Sequence, residues 1–171
     1  MKPVPGSVGV VHVPAGWLHS PEWYVIQIGT QSRYNHTAIV SWVDGEDIWV
    51  IEAAAGGVRE RVLLPEELPN WRFEADPTIS SEQRAQMVLE ADRLIGTPYD
   101  WMDILKFLVR FFIGRVSSKR RDYADDRVIC SELVAWCLHV AGIDPWPHTA
   151  YGAVSPGDVA EWMFTANHTF G

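Results

Sequence analysis

Cys130 stands near the head of the segment "RVICSELVAWCLHVAGI", and Cys137 lies seven residues further on. A thiol becomes a nucleophile when its thiolate is stabilised, and the free N–H groups and dipole of a helix N-terminus do this. The apolar spacing predicts a helix from about Val128 to Val140, with Gly142 just past its end and Asp125–Asp126 ahead of it as caps. Cys130 then falls in the first turn. Cys137 lies two turns deeper on nearly the same face and gains nothing from the helix end, so it reads as packing. Position alone leaves Cys130 open to that reading too, because free cysteines are commonly small buried hydrophobes. A nearby base would separate the two.

The chain has six histidines. His139 is on the same helix but about half a turn out of phase with Cys130. His148 and His168 fall in loops and His19 in an unassigned segment, while His12 and His36 fall on predicted strands. One face of Tyr34–Val43 carries Tyr34, His36, Ala38, Val40 and Trp42. The matching face of Asp47–Ala54 carries Ile48, Val50, Glu52 and Ala54. An imidazole on an apolar face and a carboxylate between "WVI" and "AAA" both need partners.

A three-residue loop at Val43–Asp44–Gly45 pairs Trp42 with Glu46 and sets His36 directly opposite Glu52. A two-residue Asp44–Gly45 loop pairs His36 with Ala53 and makes the contact diagonal. A histidine oriented by a carboxylate and facing a helix-end thiol is a general base with its nucleophile. From spacing alone, the same residues serve equally well as a structural His–Glu pair.

The elements that must position these groups follow from the pattern. Val8–Val13 reads as a strand, as do Tyr34–Val43, Asp47–Ala54 and a segment around Val58–Leu64. Glu22–Ile28 fits a helix or a strand. "LPEELPNWRFEADPT" reads as a Pro-rich connection. Ser80 or Ser81 caps a helix that stops at Gly96, and a very apolar helix follows at Met102–Ile113. "RVSSKRRDYADDR" is a charged loop, and the chain closes on a short final element. Strands first and helices later imply an α+β fold.

With 171 residues the chain suits a single domain over 1–171, and nine tryptophans supply core material. A net charge of −8 argues against nucleic-acid binding. Two cysteines are no disulfide framework, and along one helix they stand about 10 Å apart, beyond the Cα separation of about 7 Å that a bridge allows. Redox compartment stays open, leaning to reducing. No Cys/His pattern marks a metal site, and no cofactor is expected. The N-terminal apolar run is too short and polar for a secretory signal, and no stretch of about 20 apolar residues predicts a membrane span. The expected location is cytoplasmic, or outside the cell after lysis. Oligomeric state is not legible.

"LIGTPYDW", an insert and then "ICSELVAWCL" resemble the NlpC/P60 cell-wall hydrolases, in which a Gly–x–Pro–Tyr–x–Trp-type segment precedes a catalytic Cys-Ser at a helix start. In that family the catalytic His comes later, whereas here "YNHTAIV" and "WVIEAAAGG" come first. That inversion, with the closing "SPGDVA", is similar to the circularly permuted YiiX/YaeF-like branch of papain-fold amidases, over roughly His36 to Asp158. The resemblance implies a small antiparallel sheet or half-barrel packed on helices, with Cys130 as nucleophile, His36 as base, Glu52 as the orienting residue and Tyr99 as an aid to the oxyanion, beside the Cys130 backbone N–H. Two features depart from the unpermuted pattern: the third residue is Glu rather than His, Asn or Gln, and the insert before Cys130 is long.

That insert, near 102–127, opens with "MDILKFLVRFFIG", where Asp103, Lys106 and Arg110 form a narrow polar stripe. Twelve residues reach only about 18 Å, so the helix is expected to pack on the fold or line the cleft rather than cross a bilayer. Lipid or membrane-surface contact through 102–113 is the sharper alternative. The expected function is thus a thiol hydrolase of amide bonds, acting on a peptide or cell-wall fragment. A lipid-directed acyl hydrolase or acyltransferase with the same Cys–His site is the alternative within enzymes, and a catalytically silent binding module is the alternative outside them.

Overall fold

Two adjoining hairpins, built from the alternating segments, form one half of the sheet. The computed structural model describes residues 2–12, 32–74, 76–98 and 128–166. Tyr99, the insert at 102–127 and Glu22–Ile28 lie outside these residues. Within them the strands are β1 (Val8–Val11), β2 (His36–Asp44), β3 (Asp47–Ala54), β4 (Gly57–Val62) and β5 (Trp71–Phe73). The helices are α1 (Ser81–Arg93), α2 (Cys130–Val140) and α3 (Pro156–Ala166). The strands form one antiparallel sheet in the order β4-β3-β2-β1-β5. The fold is therefore α+β with a small antiparallel sheet, and none of the described helices is long and apolar enough to cross a membrane.

The β2–β3 turn differs from both expected loops. Asp44 pairs with Asp47 across Gly45–Glu46, and Gly45 takes the left-handed φ of 60°. The register then shifts between Val40 and Trp42, so that Ile39 faces Ile51. Ser41 is the extra residue of this bulge, and it changes which side chains share a face. Trp42 consequently pairs with Trp49 and is 60 % exposed, away from the Val40 face on which strict alternation set it.

One sheet face packs on the helices through Val8, Val10, Ile39, Ile51, Ala53 and Val58. The opposite face carries a smaller cluster of Val11, Ala38, Val40, Val50, Leu63 and Trp71. Helix α2 is the central element: Cys130, Ser131, Leu133, Val134, Ala135, Cys137 and Leu138 are all buried on it. A helix covered nearly all round shows little amphipathic periodicity, and each buried Leu or Val contributes about 1.5–3 kcal/mol.

The helix ends follow their sequence signals. Ser80 Oγ accepts the Gln83 N–H at 3.2 Å, and the Gln83 side chain accepts the Ser80 N–H at 3.0 Å, which closes a capping box on α1. Ser155 and Asp158 make the same reciprocal pair at the start of α3, at 3.1 and 2.8 Å. The end of α1 is tied to β4 by Val58 N–H to Thr97 O and Gly96 N–H to Val58 O, both 2.9 Å. Gly57 makes that approach possible, because a Cβ there would meet the Thr97 carbonyl oxygen at 2.6 Å. Strand β5 lies inside the expected Pro-rich connection, pairing with β1 through Val11 and Trp71.

Candidate active site

His36 is the first residue of β2, and Glu52 lies within β3. Carrying the Ile39–Ile51 register on sets Ala38 opposite Glu52, which makes His36 a diagonal neighbour of the carboxylate on one face. The contact is thus diagonal, as with the two-residue loop, rather than direct, as with the three-residue one, although neither expected loop is the turn formed. Without the Ser41 bulge, the two-residue turn would set Glu52 opposite Ile39, on the other face from His36. The bulge therefore brings the pair together.

His36 Nε2 donates to Glu52 Oε2 at 2.9 Å, with both side chains buried. A carboxylate only accepts, so this bond fixes the proton on Nε2 and leaves Nδ1 for another partner. That partner is the Cys130 sulfur, with which the imidazole makes a hydrogen bond and an ionic contact. The Trp71 ring meets His36 edge-on at 6.2 Å between centroids and walls the imidazole on one side.

Cys130 is the first residue of α2. Ile129 takes the capping position with extended backbone, and the Glu132 side chain accepts the Ile129 N–H at 3.4 Å. The expected caps, Asp125 and Asp126, lie outside the described residues. Ser131 Oγ donates to the Val154 carbonyl at 2.6 Å and fixes the helix start to the segment before α3. The first N–H groups of a helix have no partner within it, and at the head of α2 they are placed to donate to a group bonded to the thiol.

The electrostatics tie the three groups together. Burial pushes the Cys130 thiol up, but the His36 charge and hydrogen bond, with the Thr37 backbone and hydroxyl, hold it below its ordinary value. The Thr37 hydroxyl is buried and makes no hydrogen bond of ordinary geometry among the described residues, so it acts on the thiol as a nearby dipole. Burial pushes His36 down, yet the negative charge and hydrogen bond of Cys130, followed by those of Glu52, raise it to about 10. Glu52 is pushed up by burial and pulled well below the carboxylate range by His36 and then Arg61. The arrangement favours a thiolate beside an imidazolium, backed by an ionised carboxylate.

Sequence reasoning missed the arginines around Glu52. Oε1 of Glu52 accepts from Arg59 Nε at 3.1 Å, Arg59 Nη2 at 2.9 Å and Arg61 Nε at 2.8 Å. "GVRERV" alternates, so Arg59 and Arg61 share a face, and the Ala54–Gly57 turn sets Arg59 directly opposite Glu52. Reading that turn would have found them.

The other described histidines have their own surroundings. His12 follows β1 and bonds the Arg33 carbonyl through Nδ1. His139 faces Tyr151 and Trp136 at 5.3 and 5.8 Å between ring centroids. His148 lies in a turn, while His19 and His168 fall outside the described residues. Among the described residues no group of three or more His, Cys, Asp or Glu side chains is arranged to hold a metal ion. No family model matches the chain, and no curated protein matches it.

Proposed function

We propose that the protein is a thiol hydrolase of amide bonds, acting on cell-wall peptides with a papain-like fold in the circularly permuted NlpC/P60 order. The single observation that carries this reading is the chain of contacts from a helix-end thiol through His36 to Glu52, closed by the 2.9 Å bond. The thiol is buried and still held below its ordinary pKa, a condition that suits a nucleophile and that packing does not require.

In this reading Cys130 Sγ attacks the amide carbonyl carbon, and the carbonyl oxygen gains the negative charge. Backbone N–H groups at the start of α2 donate to that oxyanion. His36 gives its Nδ1 proton to the amide nitrogen as the C–N bond breaks, releasing the amine and leaving a thioester on Cys130. Water then attacks the thioester while the neutral imidazole takes its proton, and the acid is released with the thiolate–imidazolium pair restored. Glu52 holds the ring and offsets its charge throughout. Tyr99 is the proposed second oxyanion donor.

Digestion of purified peptidoglycan tests the proposal. New amino termini should appear with the native protein and vanish with Cys130→Ala. Release of fatty acid from a lipid or ester panel, without new amino termini, would replace the amide reading with the lipid one.

A further inference from the structure

Glu52 is 2 % exposed, and a buried carboxylate is tolerated when its oxygens are bonded. Its two oxygens divide the work. Oε2 serves His36 alone in the bonds described above, whereas Oε1 takes three bonds from Arg59 and Arg61. Arg61 then turns its other edge to Glu67, with Nη1 to Oε2 at 2.7 Å and Nη2 to Oε1 at 3.0 Å. Glu67 Oε2 also accepts the Leu64 backbone N–H at 2.8 Å, so the fork is anchored in the loop after β4. The charged groups around Glu52 are therefore His36 on β2 and Arg59 and Arg61 on β4, with Cys130 behind His36 and Glu67 behind Arg61.

We infer that Arg61, assisted by Arg59, is a positioning residue that pins Oε1 of Glu52, so that Oε2 stays ionised and aimed at His36. The inference rests on the catalytic reading of Cys130, His36 and Glu52. Its physical basis is a competition. Burial drives a carboxylate towards its protonated form, and a protonated Glu52 no longer offsets the imidazolium and accepts its Nε2–H only as a weaker, neutral partner. Two guanidinium groups on the far oxygen tip that balance and block rotation of the carboxylate plane. The Arg59 side chain is 55 % exposed and screened by water, whereas that of Arg61 is 24 % exposed and held between two carboxylates. Arg61 therefore carries the larger share.

The test follows the Glu52 side-chain carboxyl carbon by NMR against pH in protein carrying labelled glutamate, with Glu52→Gln assigning the signal. The native protein should stay ionised at Glu52 to the acid limit of folding. Arg61→Gln should raise the midpoint by about one to two pH units, and Arg61→Lys, which keeps the charge, should restore most of it. Arg59→Gln should raise it by less than one unit. Alkylation of Cys130 at pH 5 should slow about three- to ten-fold in Arg61→Gln and stay within about two-fold of native at pH 8.

Folded Arg61→Gln and Arg59→Gln proteins that both titrate like the native one would overturn the inference. Should Arg61→Gln not fold, the exposed Arg59 decides: an unmoved midpoint in Arg59→Gln has the same meaning. A native Cys130 that alkylates no faster than Cys137 defeats the catalytic reading and this inference with it. A reactive native Cys130 beside silent arginine variants defeats the clamp alone.

Discussion

Cys130 and Cys137 share one helix and nearly one face, and both are buried, at 2 % and 0 % exposure. Their thiols nonetheless move in opposite directions. Burial, then the negative charge of Glu90, pushes Cys137 far above the ordinary range, with Arg93 offsetting part of it. Cys130 carries the same burial penalty and is still held low, because His36 and Thr37 face it. Two turns of helix separate a thiol pushed up from one held low. The difference lies in what the sheet presents to each end of α2, since the depth of burial is alike.

The first way to break the comparison is to remove the member proposed as the nucleophile. Cys130→Ala should abolish amide hydrolysis, a loss of at least about 10³-fold, with thermal stability near native. Peptidoglycan digestion and a melting curve check both halves. Next in size is Glu52→Gln, which keeps the shape but removes the charge behind His36. Turnover should fall about 10²- to 10⁴-fold while Cys137 remains as inert as before. A Glu52→Gln protein that unfolds instead would make the pair structural, since breaking a buried ion pair costs about 3–5 kcal/mol.

How much of this was legible in the sequence follows from where the information sits. Alternation is local, so β3 was readable residue for residue, and the Ser80 cap of α1 needed only its own four residues. His36 and Glu52 were singled out because a polar group inside an apolar run is costly wherever the run ends up. Register was not local. Both expected loops misplaced the β2–β3 turn, and the Ser41 bulge, which sets the shared face, has no signature beyond a serine in a strand. Strand β5 was hidden because its three residues sit among prolines and gain their strand state from pairing with β1. The β3–β4 register, by contrast, follows from the tight Ala54–Gly57 turn, so the place of Arg59 opposite Glu52 was legible locally.

pH separates the two ends of α2 more gently. His36 is raised from 6.5 to about 10, so its contribution to stability is complete below pH 6.5 and is lost as pH rises through about 10. Glu52 is lowered, so its contribution is complete above its ordinary 4.5 and is lost as pH falls through the depressed value. The contributions of these two groups to melting temperature should therefore be complete together only from about pH 5 to 6.5, and His36→Ala should remove the part of the alkaline decline that His36 causes. A scan of thermal unfolding against pH for both proteins checks this.

The smallest effect belongs to the other cysteine. Cys137→Ala deletes one buried sulfur and should cost about 1–2 kcal/mol of stability, read from denaturant unfolding, with turnover unchanged. A drop in turnover there would mean that the two ends of α2 are coupled.

The central claim is that one helix holds a thiolate at its head and a silent thiol two turns below. Iodoacetamide labelling of each cysteine against pH, followed by peptide mass, measures this directly. Cys130 should react at near its full rate well below pH 8.5, the ordinary cysteine value, while Cys137 stays unlabelled in the folded protein. Equal, slow labelling of both, or a Cys130 rate that rises only through the ordinary thiol range, would contradict the account.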